Sequence, residues 1–204
     1  MAEYDFNRRQ ALEIEEALHT AGFTGSFLLD PEGVGLGLRE RPSRAAALGA
    51  DLLVSVHHDS VQEVLLDSWS YGGEQRPYCD EHQGFCLFVS RRGGQPQRSE
   101  AAARTLGYGL VAEGLEPSLY HALPLPNEGM TLLEPGAAVF RRDGLAVLAH
   151  ASLPAVLLEC GMIINRLEEA QLNDSAHRRR ISEAVVCGAE SLCGVWSGAW
   201  SSQR

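Results

Sequence analysis

Two segments of this 204-residue sequence carry polar side chains directly behind nearly continuous apolar runs. The first is His57-His58-Asp59-Ser60, behind Leu52-Leu53-Val54-Ser55-Val56, and the second is Glu159, behind Ala155-Val156-Leu157-Leu158. A histidine pair leaving a buried strand suits metal ligation or general-base work, because one imidazole can face a cleft while its neighbour points to the opposite side. The same four residues could equally form a hydrogen-bonded strand terminus. Glu159 has two readings as well. It could be a salt-bridge partner, but a Glu is rarely placed against a core strand without a chemical reason, since burying its charge is costly.

Groups like these need a scaffold, and the apolar spacing predicts one. From Asp5 to Ala21 the residues Phe6, Ala11, Leu12, Ile14 and Leu18 recur at helical steps, with Gly22 as a stop. Ser26 to Leu29 reads as a short strand ended by the turn-forming Asp30-Pro31-Glu32-Gly33, and Pro42 to Gly49 as a short helix. The run Leu52 to Val56 reads as a buried strand, Tyr71 to Pro77 as a loop, Phe85 to Val89 as a second buried strand and Ser99 to Glu113 as a helix. Between Leu115 and Gly136 the chain is rich in Pro and Gly, which predicts a long surface excursion of the kind that often carries function. Ala155 to Leu158 forms a third buried strand, and Leu167 to Leu192 one or two closing helices. The expected fold is therefore α/β, a three-layer, mostly parallel sheet flanked by helices, in a single domain over residues 1–193 with a loosely held tail at 194–204. In such sheets reactive groups gather at the carboxyl ends of strands.

Composition excludes some classes of partner. With 17 Lys and Arg against 27 Asp and Glu, the net charge of −10 argues against nucleic acid. The one basic run, Arg178-Arg179-Arg180, reads as a solvated helix face. Five cysteines without a Cys-x-x-Cys pair indicate no disulfide framework, and four of them sit in apolar surroundings, as small buried hydrophobes do. No run is long enough to span a membrane, and the sequence as written starts without an export signal, so a cytoplasmic monomer is expected, or a periplasmic or cell-wall protein if the true start lies upstream. His19, His82, His150 and His177 read as surface or capping residues, and Arg44 as structural.

Taken together, three segments resemble the zinc-dependent N-acetylmuramoyl-L-alanine amidases that cut bacterial cell walls. They are Glu3-Tyr4-Asp5-Phe6-Asn7, Ala50 to His57, and Pro154 to Gly161 with Asn165 and Glu168-Glu169 behind it. The resemblance implies a zinc ion held by His, Glu and a second His with water in the open position, peptidoglycan or muropeptides as substrate, and a Glu that moves protons. On this chain Glu3 matches the Glu ligand, His57 the second His, and Glu159 the catalytic carboxylate. Zinc would bring its water to a pKa of about 7. The sequence departs from the family at its start: the first His belongs to a Gly-rich loop well before the ligand Glu, and here only Met1 and Ala2 precede Glu3. Three expectations follow from that departure. The true start lies upstream, or the chain is a truncated relative that is catalytically silent and binds wall fragments or a regulatory partner, or another imidazole such as His121 or His58 fills the place.

Overall fold

The structure, a computed structural model, describes residues 2–31, 35–126 and 128–201. Among the described residues six helices of four residues or more and seven strands follow one another in a mixed α/β order. The first helix, α1 (Glu3–Thr20), buries Phe6, Gln10 and Ile14 at four-residue steps, so its inward stripe is narrow and includes one amide. Next come α2 (Glu40–Ala47), β1 (Leu53–Asp59), β2 (Asp67–Tyr71), β3 (Glu74–Tyr78), β4 (Cys86–Val89) and α3 (Pro96–Ala112). The chain ends through β5 (Thr131–Glu134), β6 (Val139–Arg141), α4 (Ala146–Ala149), β7 (Ala155–Met162), α5 (Arg166–Asn173) and α6 (Ser175–Ser201).

The expected single α/β domain with a helix-flanked sheet is present. Its five strands lie in the order β1-β7-β4-β6-β5, parallel at β1/β7 and β4/β6 and antiparallel at β7/β4 and β6/β5. The apolar run of β7 is thus central and covered on both faces, which explains why its sequence does not alternate. Helices α1, α6 and α3 pack side by side over the sheet, α1 against β1 and α3 against β4, β6 and β7. Gln10 is the polar member of that seam, its amide donating to the Arg178 carbonyl and to Ser182 Oγ.

Several expectations are corrected. Ser26 to Leu29 is not a strand: the Leu28 N–H donates to the Glu15 carboxylate at 3.0 Å instead of to a ladder. The turn expected at Asp30 to Gly33 falls partly on Glu32 and Gly33, outside the described residues. The loop expected from Tyr71 to Pro77 belongs to a β2/β3 hairpin whose turn residues Gly72 and Gly73 have φ of 61° and 85°, a left-handed pair that glycine adopts without steric cost. The basic run is not uniformly solvated. Arg178 is buried, bonded to Glu13 and to the carbonyls of Leu172 and Asn173 at the end of α5, and His177 is buried beside Arg180. The 115–136 excursion does not stay on the surface, since it buries Ser118, Tyr120 and His121. Of the cysteines, Cys79, Cys86 and Cys160 are buried and Cys187 and Cys193 exposed, all as free thiols. Helix α6 runs to Ser201, across residue 194 where a tail was expected to begin, and residues 202–204 lie outside the described part.

The segment behind Glu159 has a structural explanation. Asn165 caps α5 by accepting from the N–H groups of Leu167 and Glu168, and its amide donates to the carbonyls of Asp80 and His82. The buried Glu168 carboxylate accepts from the N–H of Met162 at 2.8 Å and of Gly84 at 2.9 Å, tying the end of β7 to the approach to β4. A Cβ at Gly161 would lie 2.9 Å from Glu168 Oε1, so that residue must be small for the tie to form. Replacing Glu168 by Ala strands two buried donors and is expected to cost about 2–4 kcal/mol of stability in urea denaturation. Its neighbour Glu169 makes no such tie, and Glu169→Ala should change stability by less than about 0.5 kcal/mol.

Candidate active site

The centre of the site is a row of side chains across three strands. Glu159 on β7 pairs with His57 on parallel β1 and with Cys86 on antiparallel β4, and register partners project from the same face of a sheet. Glu159 lies inside β7, which continues to Met162, rather than behind the strand where its sequence position suggested. Its Oε2 is buried without a hydrogen-bond partner. Burial, followed by the negative charges of Asp59 and Glu3, pushes its carboxyl well above the ordinary carboxylate range, against the weaker pull of Arg142. A carboxyl with that surplus basicity, one oxygen of which has no donor, is suited to accept and return a proton.

Glu3 and His57 converge at one end of this row. Glu3 opens α1, and its Oε1 accepts from Nδ1 of His57 at 3.0 Å. Asn7, one turn further along α1, donates to the same Glu3 oxygen at 2.9 Å and accepts from Nδ1 of His58 at 2.8 Å. Burial would raise the Glu3 carboxyl, but the Asn7 amide and the His57 ring outweigh it and hold the carboxyl below its usual value. His58 faces the other way, buried 5.4 Å from the Phe6 ring, and burial pushes its pKa down to about 4, so it is neutral across the physiological range. Alternation along β1 therefore gives the two histidines different work: His57 reaches the site while His58 anchors α1 through Asn7.

The donor set of Glu3 and His57 fits a divalent metal ion. A carboxylate and an imidazole lie within contact of one another, both half-exposed, and beside them is a buried carboxylate oxygen that lacks a donor. His121 does not join them. Its Nε2 bonds to Asp59 Oδ2 and its Nδ1 to Glu128 Oε2, each at 2.7 Å, which holds the ring in a cluster of its own. His58 is turned away by the pleat of β1, so neither imidazole considered from sequence stands with Glu3 and His57 as a further ligand.

That second cluster escaped the sequence. Asp59, Cys86 and His121 bring one oxygen, sulfur and nitrogen atom within 4.8 Å of one another, although the residues are far apart in the chain. Burial opposes protonation of His121, but Asp59 and then Glu128 outweigh it and raise its pKa. The nearest signal in the sequence was Asp59 itself, two residues beyond His57 and therefore on the same side of the strand. The cysteine read as a small hydrophobe and the histidine as part of an irregular excursion.

Residues 1–191 match the family described as N-acetylmuramoyl-L-alanine amidase, Amidase_3. Over 78 residues the chain is 33% identical to a probable cell wall amidase LytH of Staphylococcus saprophyticus, which is 38% of this chain and 23% of that protein. Over 48 residues it is 42% identical to the protein of the same description from Staphylococcus epidermidis, covering 24% of this chain and 16% of that one. The matched segments thus span less than a quarter of these curated relatives. Among solved structures, the N-acetylmuramyl-L-alanine amidase Ami1 from Mycobacterium smegmatis superposes with a TM-score of 0.70 at 21% identity, over 95% of this chain and 77% of that one. The catalytic domain of CwlV, an N-acetylmuramoyl-L-alanine amidase from Bacillus (Paenibacillus) polymyxa var. colistinus, superposes at 0.68 and 23% identity, over 95% and 86%. At these identities the structural likeness is one of fold, whereas the family match covers nearly the whole chain together with Glu3, His57 and Glu159. The chain belongs to the N-acetylmuramoyl-L-alanine amidase family.

Proposed function

We propose that this chain hydrolyses the amide bond between N-acetylmuramic acid and L-alanine in peptidoglycan, with Glu3 and His57 as ligands of a zinc ion and Glu159 as general base and acid. The observation that carries the reading is Glu159, a buried carboxyl with a free oxygen in the same row as the converging Glu3 and His57. Zinc bound there would supply a Lewis acid for the lactyl carbonyl and a water acidified to a pKa of about 7. Glu159 accepts a proton from the attacking water as its oxygen adds to the carbonyl carbon. As the C–N bond breaks, Glu159 passes that proton to the departing amine of L-alanine. Asn7, held by His58, fixes Glu3 in the rotamer that faces His57, so the second imidazole acts by orienting a ligand.

The family match and the convergence of three motif residues weigh against a catalytically silent relative. No helix among the described residues is long and apolar enough to cross a membrane. The expected catalytic span of residues 1–193 and monomeric state belong to this same proposal. With peptidoglycan as substrate, the site of action is the cell wall.

Glu159→Gln should reduce muropeptide release on the order of a hundredfold or more while leaving zinc content unchanged, and release at the wild-type rate would rule out the assigned role. His57→Ala should remove most of the zinc held with Glu3, whereas His58→Ala, which loses only the anchor of Asn7, should retain it. Metal analysis giving the reverse order would exchange the two assignments.

Glu159 also makes stability depend on pH. In metal-free protein its folded pKa lies above its unfolded value of about 4.3, so above that pH the unfolded chain holds fewer protons and stability falls as pH rises toward the folded pKa. Glu159→Gln removes that loss. Denaturation with chelator present should find the variant gaining on wild type from pH 4 to 7, and a constant difference would contradict the raised pKa.

A further inference from the structure

We infer that Asp59, Cys86 and His121 form a second metal site, for a borderline divalent ion such as zinc, separate from Glu3 and His57. The three donor atoms lie within 4.8 Å of one another and come from three different parts of the fold: the end of β1, the start of β4 and the short 3-10 turn Tyr120–Ala122. A thiolate, an imidazole and a carboxylate together favour zinc or cobalt over magnesium or calcium, which take oxygen donors.

Two independent features support a ligand. First, the side of His121 away from Asp59 is bonded to Glu128 at 2.7 Å, the carboxylate–imidazole arrangement that fixes the ring and tautomer of a metal-bound histidine. Second, Cys86 is the register partner of Glu159 on the same sheet face, which sets its thiol in the polar row of the sheet and not among aliphatic side chains alone. The carboxylates of Asp59 and Glu128 and a free, fully buried thiol crowd around one imidazole. Two further positive charges would relieve that crowding, since buried charges ordinarily pair or coordinate metal.

Packing has already fixed the ring. His121 stands edge-on to Phe88 at 4.9 Å and to Phe140 at 5.9 Å, and its turn is held by the Met130 N–H donating to its carbonyl. A metal here would bind with loss of the Cys86 thiol proton and of the proton between His121 Nε2 and Asp59, and would tie the excursion to β1 and β4. The three protein ligands leave a fourth position open.

The inference does not rest on the amidase reading, and cobalt(II) separates the two sites, because only this one contains sulfur. Metal-free full-length protein titrated with cobalt should develop a thiolate-to-metal charge-transfer band in the near ultraviolet. Cys86→Ser and His121→Gln should abolish the band, while His57→Ala should keep it even though it empties the other site. In zinc competition Glu128→Gln should weaken this site about 10–100-fold, the range for removing a carboxylate behind a ligating imidazole. The inference is overturned if wild type develops no band, if the band survives Cys86→Ser and so arises from another thiol, or if it vanishes in His57→Ala. Should the core variant Cys86→Ser fail to fold, the wild-type spectrum and the Glu128→Gln titration decide the matter.

Discussion

The burial of Glu159 is the constraint around which the rest of the structure is arranged. A carboxyl in an interior strand of a five-stranded sheet, with one oxygen lacking a donor, opposes folding wherever it is ionised. The fold tolerates it by placing it in a row between His57 and Cys86, where the positive charge of Arg142 partly offsets the burial. The energetic cost and the proposed chemistry have one origin, since the desolvation that opposes the ionised form also raises the proton affinity that a general base at this position would use.

Holding that side chain in place requires a rigid β7, and the structure braces the strand at its carboxyl end. Asn165 and Glu168 act there through backbone groups: one caps α5 and grips the loop before β4, the other bonds the Met162 and Gly84 amides. The family motif around Glu159 thus joins a chemical residue to the residues that brace its strand. A corresponding arrangement serves Glu3, where the buried and neutral His58 holds Asn7 and Asn7 holds the carboxylate. In both places a chain of hydrogen bonds from a buried polar side chain fixes the geometry of its neighbour, although Nε2 of His58 itself lies buried without a partner.

The 115–130 segment closes the same sheet face. Helices α1, α3 and α6 cover the other side, so the face bearing Cys86 and Phe88 receives an irregular segment whose buried Tyr120 and His121 supply the packing that a helix would otherwise provide. The Tyr120 hydroxyl accepts from the Gln62 N–H, linking the segment to the chain just beyond β1. An excursion that enters the core in this way couples the loops on both sides of the site.

The sequence by itself determined the elements with strong local periodicity and the residues that end them. Helix α1, strands β1, β4 and β7 and helix α3 were legible because their apolar spacing is set within a few residues; His57 and Glu159 drew attention as polar groups behind such runs, and Glu3 only through the family resemblance. Alternation along β1 was enough to put His57 and His58 on opposite faces, and the family resemblance chose between them. Tertiary structure alone decided which strands neighbour β7, and with them the row His57-Glu159-Cys86, because register between distant strands depends on packing of both faces. It also denied Ser26 to Leu29 a ladder, turned an expected loop into the β2/β3 hairpin, and buried Arg178 against Glu13 and the end of α5. The meeting of His121 with Asp59 and Cys86 belongs to the same class: no local pattern records it, since residues separated by dozens of positions are brought together only when the excursion packs into the core.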